Sequence, residues 1–240
     1  MMVSWIDSLA FIVFLVAWVG YTGFARRKAK TTNCIARVMH QQRIMWMSQV
    51  IAKENRVGEA ALLANLERNI AFFASTTLLV LAGVLTLFSQ VEKLETVIAS
   101  IPFTAPPNHA LVQVKLGLLV GIFVLAFFQF TWSMRQYGFV NVMIGAAPLD
   151  KSGTDTNLIA YARQMAVVQD QAAHSYNYGL RSYYYSMAAL CWFVNPWMFI
   201  VASLFVVYTL YQREFNSKAV VAITAAQTHL EKSPLHIHKA

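Results

Sequence analysis

Asn195 and Pro196 interrupt an apolar run, Ser182 to Gln212, whose other residues suit hydrocarbon. An amide at that depth needs a partner, because polar groups in an apolar medium are stable only when hydrogen-bonded. Proline has no N–H, so the carbonyl four residues back, at Trp192, loses its usual donor and the helix is expected to kink. Gln129 raises the same question in the run Leu116 to Met134. Gln129, Asn195 and Pro196 are therefore the candidates for a solute path or a functional bend, with amide and carbonyl groups doing the coordination. Packing is the competing use, since amides and hydroxyls such as Ser75, Thr77, Thr131 and Ser203 commonly bond between helices for about 0.6 kcal/mol each.

Acid-base chemistry is poorly represented. Asp7 is the only ionisable residue inside the apolar runs, so an intramembrane proton relay is not expected. The histidines are His40, His109, His174, His229, His236 and His238, and none lies in a crossing where it could hold haem. His236 and His238 read as a solvated tail, because nothing fixes their geometry for a metal. Cys34 and Cys191 have no partner spacing, and GxSxG, Walker, GxGxxG and HExxH patterns are absent. No cofactor, metal or enzymatic activity is expected on these grounds. Glu54, Asn55, Arg56, Glu59, Glu67 and Arg68 read as a solvated helix face, with a lipid-modifying site as the weaker alternative.

The elements that position these residues follow from composition. Hydrophobic residues make up 58% of the 240 positions and charged residues 12%, well below the roughly 25% of a soluble domain. Four runs approach the ~20 residues that span a bilayer core. They predict an all-α membrane bundle with crossings at about 5–24, 70–91, 116–134 and 183–211, one domain over 1–218, and a short helix with a loose tail over 219–240. The first run has no basic residue before it and ARRKAK after it, so it reads as a retained anchor. Lys and Arg number nine in 25–69, two in 92–115, four in 135–181 and four after 212. The positive-inside rule then puts the N-terminus outside, and four crossings return the C-terminus there too. A chain turned back at Asn195-Pro196 would make the asymmetry stronger. The length of the run disfavours it, because each arm between Ser182 and Gln212 holds about fourteen residues, roughly 21 Å of helix. The net charge of +8 is thus topology and attraction to anionic lipid rather than nucleic-acid binding.

Between the first two crossings, Ile35, Val38, Trp46, Val50, Leu62, Leu63 and Leu66 recur at helical spacing, with KENRVGE as the expected break. SIPFTAPPNH is too rich in proline for a helix. Gly117 and Gly121 form a GxxxG spacing that suits close helix packing. Asp155 can cap an amphipathic helix over 157–176. Tyr183, Tyr184 and Tyr185 at one end of the last run, with Tyr208 and Tyr211 at the other, read as aromatic belts. Arg135, Arg181 and Arg213 read as interfacial residues that meet lipid headgroups.

Five blocks in order, NIAFFAST, FTWSMRQYGF, IGAAP, YNYGLRSYYYSMAALCWFVNPWMF and LYQREFNSKA, resemble the domain-of-unknown-function family numbered five hundred and ninety-nine. The resemblance implies a multi-pass membrane protein of bacteria or plants and brings no catalytic residues. The expected function is an oligomeric passage for an ion or small solute in the bacterial inner membrane. The alternative is a non-transporting scaffold or accessory subunit. The bilayer and either copies of itself or another membrane protein are the expected partners.

Overall fold

A computed structural model describes residues 4–29, 31–100, 104, 108–150 and 154–231, and every regular element among them is helical. Most of SIPFTAPPNH, Gly153, and the tail with His236 and His238 lie outside the described residues. The elements are α1 Trp5–Leu15, a π-helical turn Val16–Gly20, α2 Tyr21–Lys28, α3 Ile35–Ile51, α4 Val57–Phe88, α5 Val91–Ala99, α6 His109–Ala146, α7 Thr156–Val194, α8 Pro196–Phe215 and α9 Lys218–Glu231. Three stretches are long and apolar enough to cross a membrane: Trp5–Lys28, Val57–Phe88 and His109–Ala146. The chain divides into two compact units. One comprises residues 1–27, 72–130 and 176–210, and the other 28–71, 131–175 and 211–240.

In the first unit α7 runs antiparallel to the N-terminal helix. Tyr178 meets Arg26, the Tyr185 hydroxyl donates to Ala17 O at 2.9 Å, and Trp192 Nε1 donates to Asp7 Oδ1 at 2.8 Å. A helix continuing in that direction would carry Phe199 about 10 Å past Trp192, beyond the start of α1. Phe199 instead packs 4.9 Å from Phe14, and also stacks on Trp192 at 4.9 Å. The chain therefore reverses at Asn195, and α8 returns along the N-terminal helix.

This corrects the single crossing expected over 183–211. α7 begins at Thr156, so the outgoing arm is not limited to residues after Ser182, and the twenty residues of α8 make about 30 Å of helix. The length objection to a hairpin disappears. The expected kink is likewise replaced by a helix junction. Asn195 N–H closes α7 on Cys191 O, and Asn195 Oδ1 accepts the Trp197 N–H at 2.9 Å, which is N-cap geometry for α8. Pro196 then occupies the first helical position, where a missing N–H breaks no helical bond.

The core of this unit is aromatic. Phe14, Phe130, Tyr185 and Phe199 are fully buried. Phe130 stacks on Phe73 at 5.6 Å and is flanked by Tyr176 and Tyr183. Gly179 is required here, because a Cβ at that position would stand 2.5 Å from Phe130 Cε1. The GxxxG glycines do not play that part within the chain. Both are exposed, and a Cβ at Gly117 meets only Phe88 at 4.0 Å while one at Gly121 meets nothing.

In the second unit the expected break falls between Ile51 and Val57, where Asn55 Oδ1 accepts the Val57 N–H at 3.0 Å. α9 packs on α3. Asp155 Oδ1 accepts the N–H groups of Asn157 and Leu158 and starts α7 as expected. The predicted amphipathic helix and the segment after it are one continuous 39-residue helix. Its inward face carries Ala162, Met165 and Ala172, none of which is exposed.

Candidate functional site

In the first unit, three helices bring one polar residue each to the end of α7. Asp7 stands in the first turn of α1, where the positive end of the helix dipole suits a carboxylate. Trp192 lies in the last turn of α7, whose carbonyls have no helical donors. The N–H that would otherwise serve Trp192 O belongs to position 196, a proline. Lys115 of α6 supplies the missing donor, with Nζ 2.7 Å from Trp192 O. Its ammonium also lies over the rings of Trp192 and Phe193, at 5.4 and 5.8 Å. The other side of Trp192 is tied by its indole N–H to Asp7 Oδ1 and by ring stacking to Phe11 and Phe199.

Asp7, Lys115 and Trp192 are 6%, 8% and 2% exposed. No ion pair joins the carboxylate to the ammonium directly, so one tryptophan bridges a buried anion and a buried cation. Such an arrangement fixes the helix ends tightly. It also keeps two charges where a small move of α7 relative to α1 or α6 would change their partners.

The sequence-predicted residues divide around this cluster. Asn195 and Pro196 form the hairpin tip directly after it, while Gln129 is half-buried on α6 and is not part of it. Tyr183 and Tyr185 both make hydrogen bonds inside the unit. Tyr185 is fully buried, and the Tyr183 hydroxyl pairs with the buried Thr77 Oγ1 at 2.8 Å. Tyr184 is half-buried. Arg135 is exposed over the Phe139 ring, and Arg213 is exposed in the last turn of α8. Arg181 lies over Tyr21 and Tyr178. Lys115 does not stand out in the sequence because it lies at the edge of its apolar run, whereas Asp7 is conspicuous as the only acid in any run.

The second unit holds two further polar clusters. Asp170 of α7 contacts both His40 Nδ1 and Arg43, the latter at 2.6 Å, which joins α7 to α3. Arg56 is not a solvated residue but a clamp on the end of α6. Its Nη1 donates to Ile144 O at 2.8 Å and Ala147 O at 2.6 Å, its Nη2 to Pro148 O at 2.9 Å, and its Nε to Val50 O at 3.1 Å. A guanidinium suits this position because a helix C-terminus presents several unpaired carbonyls and partial negative charge. Beside it, Lys53 pairs with the buried Glu59 at 2.5 Å, and Asn141 donates to Glu67 Oε1 at 2.7 Å. A cleft of about 580 Å³ opens among Lys53, Arg56, Asn141 and Leu149. Among the described residues no group of His, Cys, Asp and Glu has the makings of a metal site.

A family model described as a protein of unknown function, DUF599, matches residues 9–219. The chain belongs to the DUF599 family. No curated protein and no solved structure matches it. Within the DUF599 match lie Lys115, Trp192, Asn195 and Pro196, while Asp7 precedes it and the terminal histidines follow it.

Proposed function

We propose that this chain is an integral protein of the bacterial cytoplasmic membrane that assembles from several copies into a passage for an ion or small solute. The observation that carries the reading is the buried Asp7–Trp192–Lys115 cluster at the tip of the α7–α8 hairpin. Ionisable residues and helix ends inside an apolar bundle commonly mark solute or ion paths in membrane proteins. Within this reading the N-terminal helix, α4, α6, the second half of α7 and α8 each cross. The N-terminus lies outside, and all three basic-rich segments, the C-terminal one included, lie inside. The hairpin gives a stronger positive-inside asymmetry than four crossings do.

A scaffold or accessory subunit is the second reading, favoured by the exposure of Gly117 and Gly121 on a helix that uses neither inside the chain. Reconstitution in liposomes separates the two. The passage reading expects solute or ion flux that changes in Asp7→Asn and Lys115→Met. Absence of wild-type flux at any voltage or pH, together with a fixed stoichiometric partner on gentle extraction, supports the scaffold instead.

A further inference from the structure

In the first unit α7 meets the N-terminal helix at three places: Trp192 bonds Asp7, Tyr185 bonds Ala17 O and Tyr178 bonds Arg26. The three α7 residues are spaced seven apart, so they share one face of a helix with 3.6 residues per turn. Asp7 and Arg26 are nineteen positions apart, and on a regular α-helix they would point roughly 100° away from each other. The π-helical turn Val16–Gly20 removes that mismatch, because it absorbs one residue more than an α-helical turn. With that residue absorbed, Asp7 and Arg26 fall on the same face.

A π turn weakens the backbone ladder, and here two side chains repair it. The Tyr21 N–H is shared between Ala17 O and Trp18 O. Each of those carbonyls also accepts a hydroxyl, Ala17 O from Tyr185 at 2.9 Å and Trp18 O from Thr22 at 2.9 Å. Tyr185 is fully buried against Phe14 and Trp18, so packing aims its hydroxyl. In an unbroken α-helix each carbonyl has its own N–H donor and needs neither hydroxyl.

We infer that the π turn is a register joint with Tyr185 and Thr22 as its positioning residues. While they hold it, Asp7 stays on Trp192. Its collapse to α-helix turns Asp7 by roughly 100°, moves it about 1.5 Å along the axis and opens the buried cluster. The inference stands whether or not a solute passes the protein.

The test follows the Trp192 indole N–H by proton–nitrogen NMR of the full chain in phosphatidylcholine nanodiscs, with the signal assigned by Trp192→Phe. Asp7→Ala marks where that indole resonates without its carboxylate. Tyr185→Phe and Thr22→Val each delete one hydroxyl, and each is expected to raise the population at that second position about three- to tenfold over wild type, the weight of one hydrogen bond. Tyr183→Phe deletes the hydroxyl that pairs with Thr77 and is expected to change nothing. Deletion of Val19, an exposed residue of the π turn, should leave only the second signal. No rise in Tyr185→Phe, or an equal rise in Tyr183→Phe, overturns the joint even where the deletion variant fails to fold. An Asp7-bonded signal that survives the deletion overturns the assigned register.

Discussion

Replacing Lys115 with methionine keeps the length of the side chain and deletes its charge, so it isolates what the ammonium does at the end of α7. Two losses follow from the geometry. The 2.7 Å bond to Trp192 O has a charged donor, a class that contributes about 1.5–3 kcal/mol, and leaving the buried carbonyl unpaired costs about 1–3 kcal/mol. The opposing effect is relief of burying an ammonium, several kcal/mol. Removing one member of a buried charge pair is nevertheless destabilising by roughly 3–5 kcal/mol where it has been measured, because the other charge stays buried without compensation. Lys115→Met is therefore expected to lower stability by about 2–4 kcal/mol. Asp7→Asn keeps an oxygen for the Trp192 indole and removes only the carboxylate charge. If the two charges support each other across Trp192, the double variant should lose less than the two single losses combined, by about 1 kcal/mol or more. The assay is denaturant unfolding in detergent, followed by tryptophan fluorescence. Additivity within about 0.5 kcal/mol would refute the coupling, and an unchanged midpoint for Lys115→Met would refute the role of the ammonium itself.

Gly179→Ala is expected to destabilise by about 1–2 kcal/mol, because the clash with the buried Phe130 ring outweighs the better helix propensity of alanine; thermal unfolding checks it, with a stabilised variant as the contrary result. Gly121→Ala meets no atom inside the chain and should leave the monomer unchanged or slightly more stable, so a loss of oligomer on native gels would place that face in an assembly contact. Arg56→Ala should cost about 3 kcal/mol, and Arg56→Lys should recover only part of it, since one ammonium cannot reach the carbonyls of Ile144, Ala147, Pro148 and Val50 together.

The helical class, the break before Val57 and the Asp155 cap were legible because periodicity and capping are local signals. The membrane-length helices were legible from apolar runs alone. Pairings between distant segments were not. Tyr185 looks like a belt residue beside Arg181, yet its hydroxyl ends on Ala17 O and its ring sits between Phe14 and Trp18. The reversal at Asn195 is hidden in the sequence because the apolar run starts only at Ser182, whereas the helix that feeds it starts at Thr156 and is amphipathic for its first five turns. Asn-Pro within an apolar run signals a kink as readily as a helix junction, and here the pair serves as N-cap and first residue of α8. Arg56 looked like surface charge because its partners are backbone carbonyls, which leave no trace in side-chain spacing.

The central structural claim is that α7 and α8 turn back on each other, and under the proposed topology residues 4 and 217 then lie on opposite sides of the membrane. In a background with Cys34 and Cys191 replaced by serine, Ser4→Cys and Ser217→Cys can each be probed in intact cells with an impermeant maleimide. The account predicts labelling of position 4 from outside and of position 217 only after the membrane is opened. Labelling of both from outside would contradict it and restore a single crossing through Asn195.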